Sequence, residues 1–192
     1  MLVVADELHG DLTFPGHAYT PFSTIDATNV ITCLSPAKSF IIASCCSAFT
    51  VIAVDDRRAA FQAENSRLTV IKNNAFANVA MQAAWQDGGP WLAAVLQYIE
   101  GNLAFVHDRL AKTQINLIEP DGTFLPWLDF RQIGLSSDDL TAFLRNRAGW
   151  TVTCGPAFGD QGIESARLNI DCRRAVLGEA LERLTTALAG MD

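Results

Sequence analysis

The chain has 192 residues, 49% of them apolar and only 18% charged, with 14 basic and 21 acidic side chains for a formal net charge of -7. That balance excludes an intrinsically disordered chain and gives little scope for nucleic-acid binding by phosphate neutralisation. So few charges must also cover a whole surface, which implies that part of it is covered by something else.

In chain order, Leu2-Val3-Val4-Ala5 closed by Asp6 reads as a parallel strand buried on both faces, with functional groups at its carboxyl end. No basic segment precedes it, so no secretory signal is expected. Further strands are predicted at 30–34 and 49–54, both β-branched and uninterrupted by charge. The uncharged run 39–54 contains Ser39, Ser44, Ser47 and Thr50 and falls short of the roughly 18 apolar residues of a membrane span, so it is read as buried sheet and turn. Asp55-Asp56 can cap a helix over 57–65, and Ala75, Val79, Ala83 and Ala84 lie at helical spacing within 74–86. Gly88-Gly89-Pro90 breaks the chain and opens a long helix over 91–112.

Beyond it the pattern is mixed. Strands are predicted at 115–118, 124–130, near Thr151 and at 166–170, with helices over 136–148 and 173–189. Ser136 is the expected N-cap of the first of these, with Asp138 and Asp139 in the turn that the helix dipole favours. The pattern predicts an α/β first part over 1–89 and a linker helix with a small α+β unit over 90–192.

Five cysteines (Cys33, Cys45, Cys46, Cys154 and Cys172), two of them adjacent and none in a CxxC pair, fit reduced thiols in a cytoplasm. Cys45 and Cys46 have apolar neighbours and no base nearby in sequence, and are expected in the core. His9, Asp11 and His17 match no usual metal-ligand spacing, so no metal is expected. Trp85, Trp91, Trp127 and Trp150 are spaced too widely for a ligand box and are read as packing residues.

Ser35-Pro36-Ala37-Lys38 sets a lysine in a polar turn straight after a predicted buried strand. Taken alone, Ser-x-x-Lys is ordinary: it fits a surface turn, and it also resembles the nucleophile motif of penicillin-recognising enzymes. Its neighbours in chain order decide otherwise. Asp6-Glu7-Leu8-His9-Gly10-Asp11-Leu12, Phe14-Pro15-Gly16-His17, Ser35 to Phe40, Gly89-Pro90-Trp91-Leu92, Gly122-Thr123-Phe124-Leu125, Trp127-Leu128-Asp129, Phe158-Gly159 and Arg167-Leu168-Asn169 together resemble the fold type I pyridoxal-phosphate enzymes. Within these, they resemble the cystathionine β-lyase branch of the class I/II aminotransferases.

The resemblance implies the carboxyl-terminal half of such an enzyme. Residues 1–89 would be part of the cofactor-binding large domain, a mostly parallel sheet with helices, and 90–192 the linker helix and small domain. It implies pyridoxal 5'-phosphate as cofactor, bonded by Lys38, with Asp6 pairing the pyridine nitrogen, His9 near the phenolic oxygen and Ser35 donating to the phosphate. Arg167 would grip the α-carboxylate of a small amino-acid substrate. Three positions depart from the family pattern: Cys46 stands where many aminotransferases have a phosphate-binding arginine, Ile41 where this branch usually has asparagine, and Ser44 where it usually has glycine. The implied activity is β-elimination from cystathionine or a related L-cysteine S-conjugate. Transamination, or a fragment inactive without its other half, is the alternative. A homodimer when complete, without nucleic-acid or membrane partners, is the implied assembly.

Overall fold

The computed structural model describes residues 1–70 and 74–191, and its chain divides into two compact units, Met1–Val95 and Leu96–Asp192. The division falls within a helix, whereas the sequence reading drew its boundary at the Gly89-Pro90 break.

The first unit is built on a three-stranded sheet of β1 (Val3–Asp6), β2 (Val30–Leu34) and β3 (Phe49–Val51), in that order. β1 and β2 run parallel, with Asp6 opposite Cys33. β3 is antiparallel to β2, with Thr32 opposite Val51 and Leu34 opposite Phe49. Its direction follows from its connection, because residues 35–48 form turns and one short 3-10 segment, Ala43–Cys45, instead of the helical crossover that a parallel neighbour needs. Before β2, the Asp26 carboxylate accepts hydrogen bonds from the backbone and side chains of Thr28 and Asn29, which hold its pKa down at about 2 and form an Asx-type turn into the strand.

Helix α1 (Asp55–Arg67) starts two residues earlier than expected. Val54 occupies its N-cap position and offers no side-chain acceptor, so Asp55 and Asp56 act within the first turn on the helix dipole and do not cap it. Helix α2 (Ala75–Asp87) does have a side-chain cap: the Asn74 side chain accepts from the Ala77 amide at 2.8 Å. Helix α3 (Gly89–Leu110) follows after Gly88, with Pro90 in its first turn, where the missing amide proton has no intrahelical partner to lose.

The second unit contains β4 (Asn116–Ile118), β5 (Trp127–Asp129), helix α4 (Ser137–Asn146), β6 (Thr153–Cys154), β7 (Ser165–Arg167) and helix α5 (Arg174–Ala189). Its four strands form an antiparallel sheet in the order β4-β5-β7-β6. Leu140, Phe143 and Leu144 of α4 and Leu177, Leu181 and Leu184 of α5 are buried at helical spacing. Leu128, Phe130, Ala166, Leu168 and Ile170, from the strands and the residues beside them, are buried with them. Ser136 caps α4 as expected, accepting from the Asp139 amide. Asn102 of α3, fully buried, donates to the carbonyls of Ile170 and Cys172 and so ties the segment after β7 to the helix. No helix among the described residues is long and apolar enough to cross a membrane.

Candidate active site

Two parallel neighbouring strands end at one edge of a sheet, and side chains just past those ends converge there. β1 ends at Asp6 and β2 at Leu34, with Ser35 and Lys38 in the turn that follows. Asp6 and the Ser35–Lys38 turn therefore share the carboxyl edge of β1 and β2. The exposed Asp6 carboxylate accepts from the Leu8 amide at 3.3 Å. Lys38 is also exposed, in a turn closed by bonds from the Phe40 amide to the Pro36 carbonyl and from the Ile42 amide to the Ala37 carbonyl. Its amine makes no hydrogen bond or ion pair among the described residues. Half-buried His9 stands at the start of the 3-10 turn Gly10–Leu12, its carbonyl accepting from the Leu12 amide.

Ser35 differs from the expectation in one respect. Its hydroxyl is buried and donates to the Ser47 carbonyl at 2.6 Å while accepting from the Ala37 amide at 3.1 Å, so its single proton is committed within the protein. Donation to a phosphate requires the hydroxyl to rotate away from Ser47. Two of the departures noted in the sequence fall at left-handed backbone: Ile41 has φ +57° and Cys46 φ +49°. A β-branched residue resists that conformation and asparagine tolerates it, which gives a physical reason for asparagine at position 41. The expectation of a core position for Cys45 and Cys46 is not met. Cys46 is exposed and Cys45 half-buried, because the left-handed turn at Cys46 carries the chain along the surface.

Asp11 accepts from the Trp85 indole at 3.2 Å, joining the loop after β1 to α2. Of the tryptophans read as packing residues, Trp150 is buried and donates to the Ala180 carbonyl, whereas Trp85 and Trp91 are about two-fifths exposed and pack edge-on to Phe49 and stacked on Phe40.

Sequence reading missed a second polar group in the first unit. Glu7, buried, accepts from the Phe22 amide at 2.9 Å and from the Tyr19 hydroxyl. Burial, and then the neighbouring Glu7 carboxylate, push the Tyr19 pKa up. Glu7 and Tyr19 line a cavity of about 560 Å³ with Thr32, Leu34, Phe49 and Trp85. The cavity opens on the sheet face of Thr32 and Leu34, whereas the register puts Asp6 level with Cys33 on the opposite face. The only advance signal was alternation, since Asp6 and Glu7 at a strand end must point to opposite faces.

Arg167 lies in the second unit, on β7 between Trp127 and Thr153 of the neighbouring strands. It is half-buried, with its guanidinium carbon 4.6 Å from the centre of the Phe158 ring, and Phe158 meets Trp127 edge-on at 5.0 Å. Nothing in sequence spacing pointed to that stack.

Residues 1–184 match the family described as "Aminotransferase class I and II". The chain is 36% identical over 194 residues to cystathionine beta-lyase PatB of Bacillus subtilis, covering 97% of this chain and 50% of that protein. Cystalysin from Treponema denticola, a structure that contains a pyridoxal 5'-phosphate cofactor, superposes with a TM-score of 0.93 at 30% identity, over 100% of this chain and 50% of that one. A pyridoxal-phosphate-bound C-S lyase from Staphylococcus hominis, complexed with the inhibitor L-cycloserine, gives 0.86 at 26% identity, over 98% and 47%. The chain thus spans about half the length of the relatives it matches, and its fold is the α/β fold of the type I pyridoxal-phosphate enzymes.

The chemistry of the donor set fits that cofactor. An amine, a carboxylate and an imidazole lie on the segments at the carboxyl edge of β1 and β2, with a serine hydroxyl on the lysine's own turn. They answer in kind to an aldehyde, a pyridine nitrogen, a phenolic oxygen and a phosphate.

Proposed function

Because the chain belongs to the class I and II aminotransferase family, we propose that it supplies the lysine-bearing part of a pyridoxal-phosphate-dependent carbon-sulfur β-lyase. The substrate is cystathionine or a related L-cysteine S-conjugate, and the products, formed with uptake of one water that hydrolyses the released enamine, are a thiol, pyruvate and ammonia. The observation that carries this reading is the shared carboxyl edge of β1 and β2, which brings Asp6 and the Ser35–Lys38 turn together.

When bound, pyridoxal 5'-phosphate supplies the electron sink for negative charge at the substrate Cα. Lys38 would anchor it through its amine. Asp6 keeps a proton on the pyridine nitrogen, because a carboxylate beside that nitrogen favours its charged form. His9 donates toward the phenolic oxygen. Ser35 turns its hydroxyl from the Ser47 carbonyl to the phosphate, and backbone amides share that load in place of the arginine that Cys46 replaces.

Arg167 holds the substrate carboxylate through the planar fork of its guanidinium. The Lys38 amine would also be the base that takes the substrate Cα proton on Nζ. The Cβ–S bond then breaks, and the thiolate departs more readily than an alkoxide would, since a thiol pKa is only about 8.5. Residues 1–89 serve as part of the cofactor-binding large domain and 90–192 as linker helix and small domain. The remaining half of a protein of the relatives' length and a second copy in a homodimer cover the apolar surface of the first unit. The five cysteines, none of them in a disulfide, suit the reducing cytoplasm.

The test is incubation of a protein of the relatives' length containing this chain with cystathionine. Pyruvate and thiol are expected, and Lys38→Ala should abolish both. Asp6→Ala should cost far more activity than Asp11→Ala, because the Asp11 carboxylate is already bonded to the Trp85 indole and the Ser39 hydroxyl. Transfer of the amino group to a 2-oxo acid, with no thiol released, would make the protein an aminotransferase instead.

A further inference from the structure

We infer that Phe158 is a positioning residue: its ring, fixed by a loop built to be rigid, holds the guanidinium plane of Arg167 for a substrate carboxylate. The inference rests on the proposed role of Arg167 and adds what orients it.

An arginine side chain has several rotatable bonds, and the strand register alone sets only where it starts. Arg167 is held at its start by β5 and β6, opposite Trp127 and Thr153. It is held at its far end by the Phe158 ring, 4.6 Å from the guanidinium carbon. That distance places the cation against the negative face of the ring. A guanidinium stacked flat on a ring keeps its N–H edge open, and that edge is the one that meets a carboxylate with two parallel hydrogen bonds.

The platform is itself braced. Phe158 packs edge-on against Trp127, the residue opposite Arg167 in the sheet, so ring, indole and guanidinium form one cluster. Phe158 ends the 3-10 turn Gly155–Phe158, and a second one, Asp160–Gly162, follows directly. The backbones of Gly155 and Gly162 pass so close that a Cβ on Gly155 would stand 1.6 Å from the Gly162 carbonyl oxygen, and one on Gly162 would stand 2.2 Å from that of Gly155. Between them Gly159 turns the chain at φ +107°, a conformation that L side chains rarely adopt. Three glycines thus fix a loop whose exposed product is one phenyl ring under one arginine.

The experiment follows the Nε–Hε signal of Arg167, assigned with Arg167→Lys, in nitrogen-15 spectra of the chain. In the unsubstituted protein the signal should carry a high order parameter, about 0.8, against less than about 0.6 for the exposed Arg145. Phe158→Leu should bring Arg167 down to the Arg145 value, and Phe158→Tyr should restore it. Gly155→Ala should lower it as well, by moving the loop. Circular dichroism and thermal melting establish that each variant is folded. An equally ordered Arg167 in Phe158→Leu, or an Arg167 as mobile as Arg145 without any substitution, overturns the inference. L-alanine is then titrated as a carboxylate probe. A saturable shift of the Arg167 signal is expected, with affinity about threefold weaker in Phe158→Leu. An ordered Arg167 whose signal does not respond to L-alanine overturns the carboxylate role itself, a result separate from failure of the stack.

Discussion

Among the described residues, twenty-one buried apolar side chains belong to Leu96–Asp192 and six to Met1–Val95. The exposed large apolar side chains divide the other way, fifteen in the first unit and six in the second. The second unit closes a core around its own sheet, with Leu128, Ala166, Ile170, Leu181 and Leu184 essentially without solvent contact. The first unit holds the lysine, the carboxylate and the histidine, yet leaves Val4, Val51, Phe76 and Val79 exposed. Burial of apolar area is the main source of folding energy, so the stability of this chain resides in the second unit, and the residues proposed to hold the cofactor lie in the first.

Substitutions can break that comparison. The largest expected effect is Leu181→Ala, which opens a cavity in a closed core and should destabilise the second unit by about 3 kcal/mol in denaturant unfolding. A loss below about 1 kcal/mol would mean that its core is not as tightly packed as its burial implies.

Next is Asp129→Ala, at about 2 kcal/mol, the worth of hydrogen bonds to a charged partner. Buried Asp129 receives bonds from the amide and the guanidinium of Arg131, and these hold its pKa below the ordinary carboxylate value. A carboxylate with a lowered folded-state pKa stabilises the fold above the ordinary value of 3.8, and that contribution is lost as pH falls through the lowered one. The acid limb of the stability curve should therefore flatten in Asp129→Ala. An unchanged acid limb would contradict the assignment.

Ile41→Asn should raise the stability of the first unit by about 1 kcal/mol, by relieving a β-branched residue at φ +57°. Unfolding of the second unit should not move. The smallest effect is expected from Phe76→Ala, within about 0.5 kcal/mol, because that ring is already 87% exposed in the chain. A large loss there would show that the first unit packs its apolar side chains after all.

Much of this was readable in the sequence where the cause is local. The β2 bounds, the Ser136 cap and the periodic helices α4 and α5 follow from runs, caps and spacing within a dozen residues. Asp6 stands out at the end of an apolar run, where parallel strands deliver functional groups, whereas Lys38, in a turn four residues past β2, is singled out only by the resemblance of its neighbours in chain order. Partners far along the chain were not legible. The Ser35 proton goes to a carbonyl twelve residues on, past a left-handed turn that its own sequence does not announce. The Phe158 ring reaches Arg167 across a loop, and the Gly155–Gly162 contact is a property of backbone packing. The antiparallel direction of β3 depended on a connection without a helix, and a strand's own residues carry no mark of direction.

The central claim is that Lys38 is the cofactor lysine. The chain has three lysines, Lys38, Lys72 and Lys112, so mixing it with pyridoxal 5'-phosphate, reducing with borohydride and mapping the product by peptide mass is decisive. A yellow adduct fixed at Lys38 and absent in Lys38→Ala is the predicted result. Labelling spread evenly over the three lysines, or no adduct at Lys38 in a protein of the relatives' length that contains this chain, would contradict it.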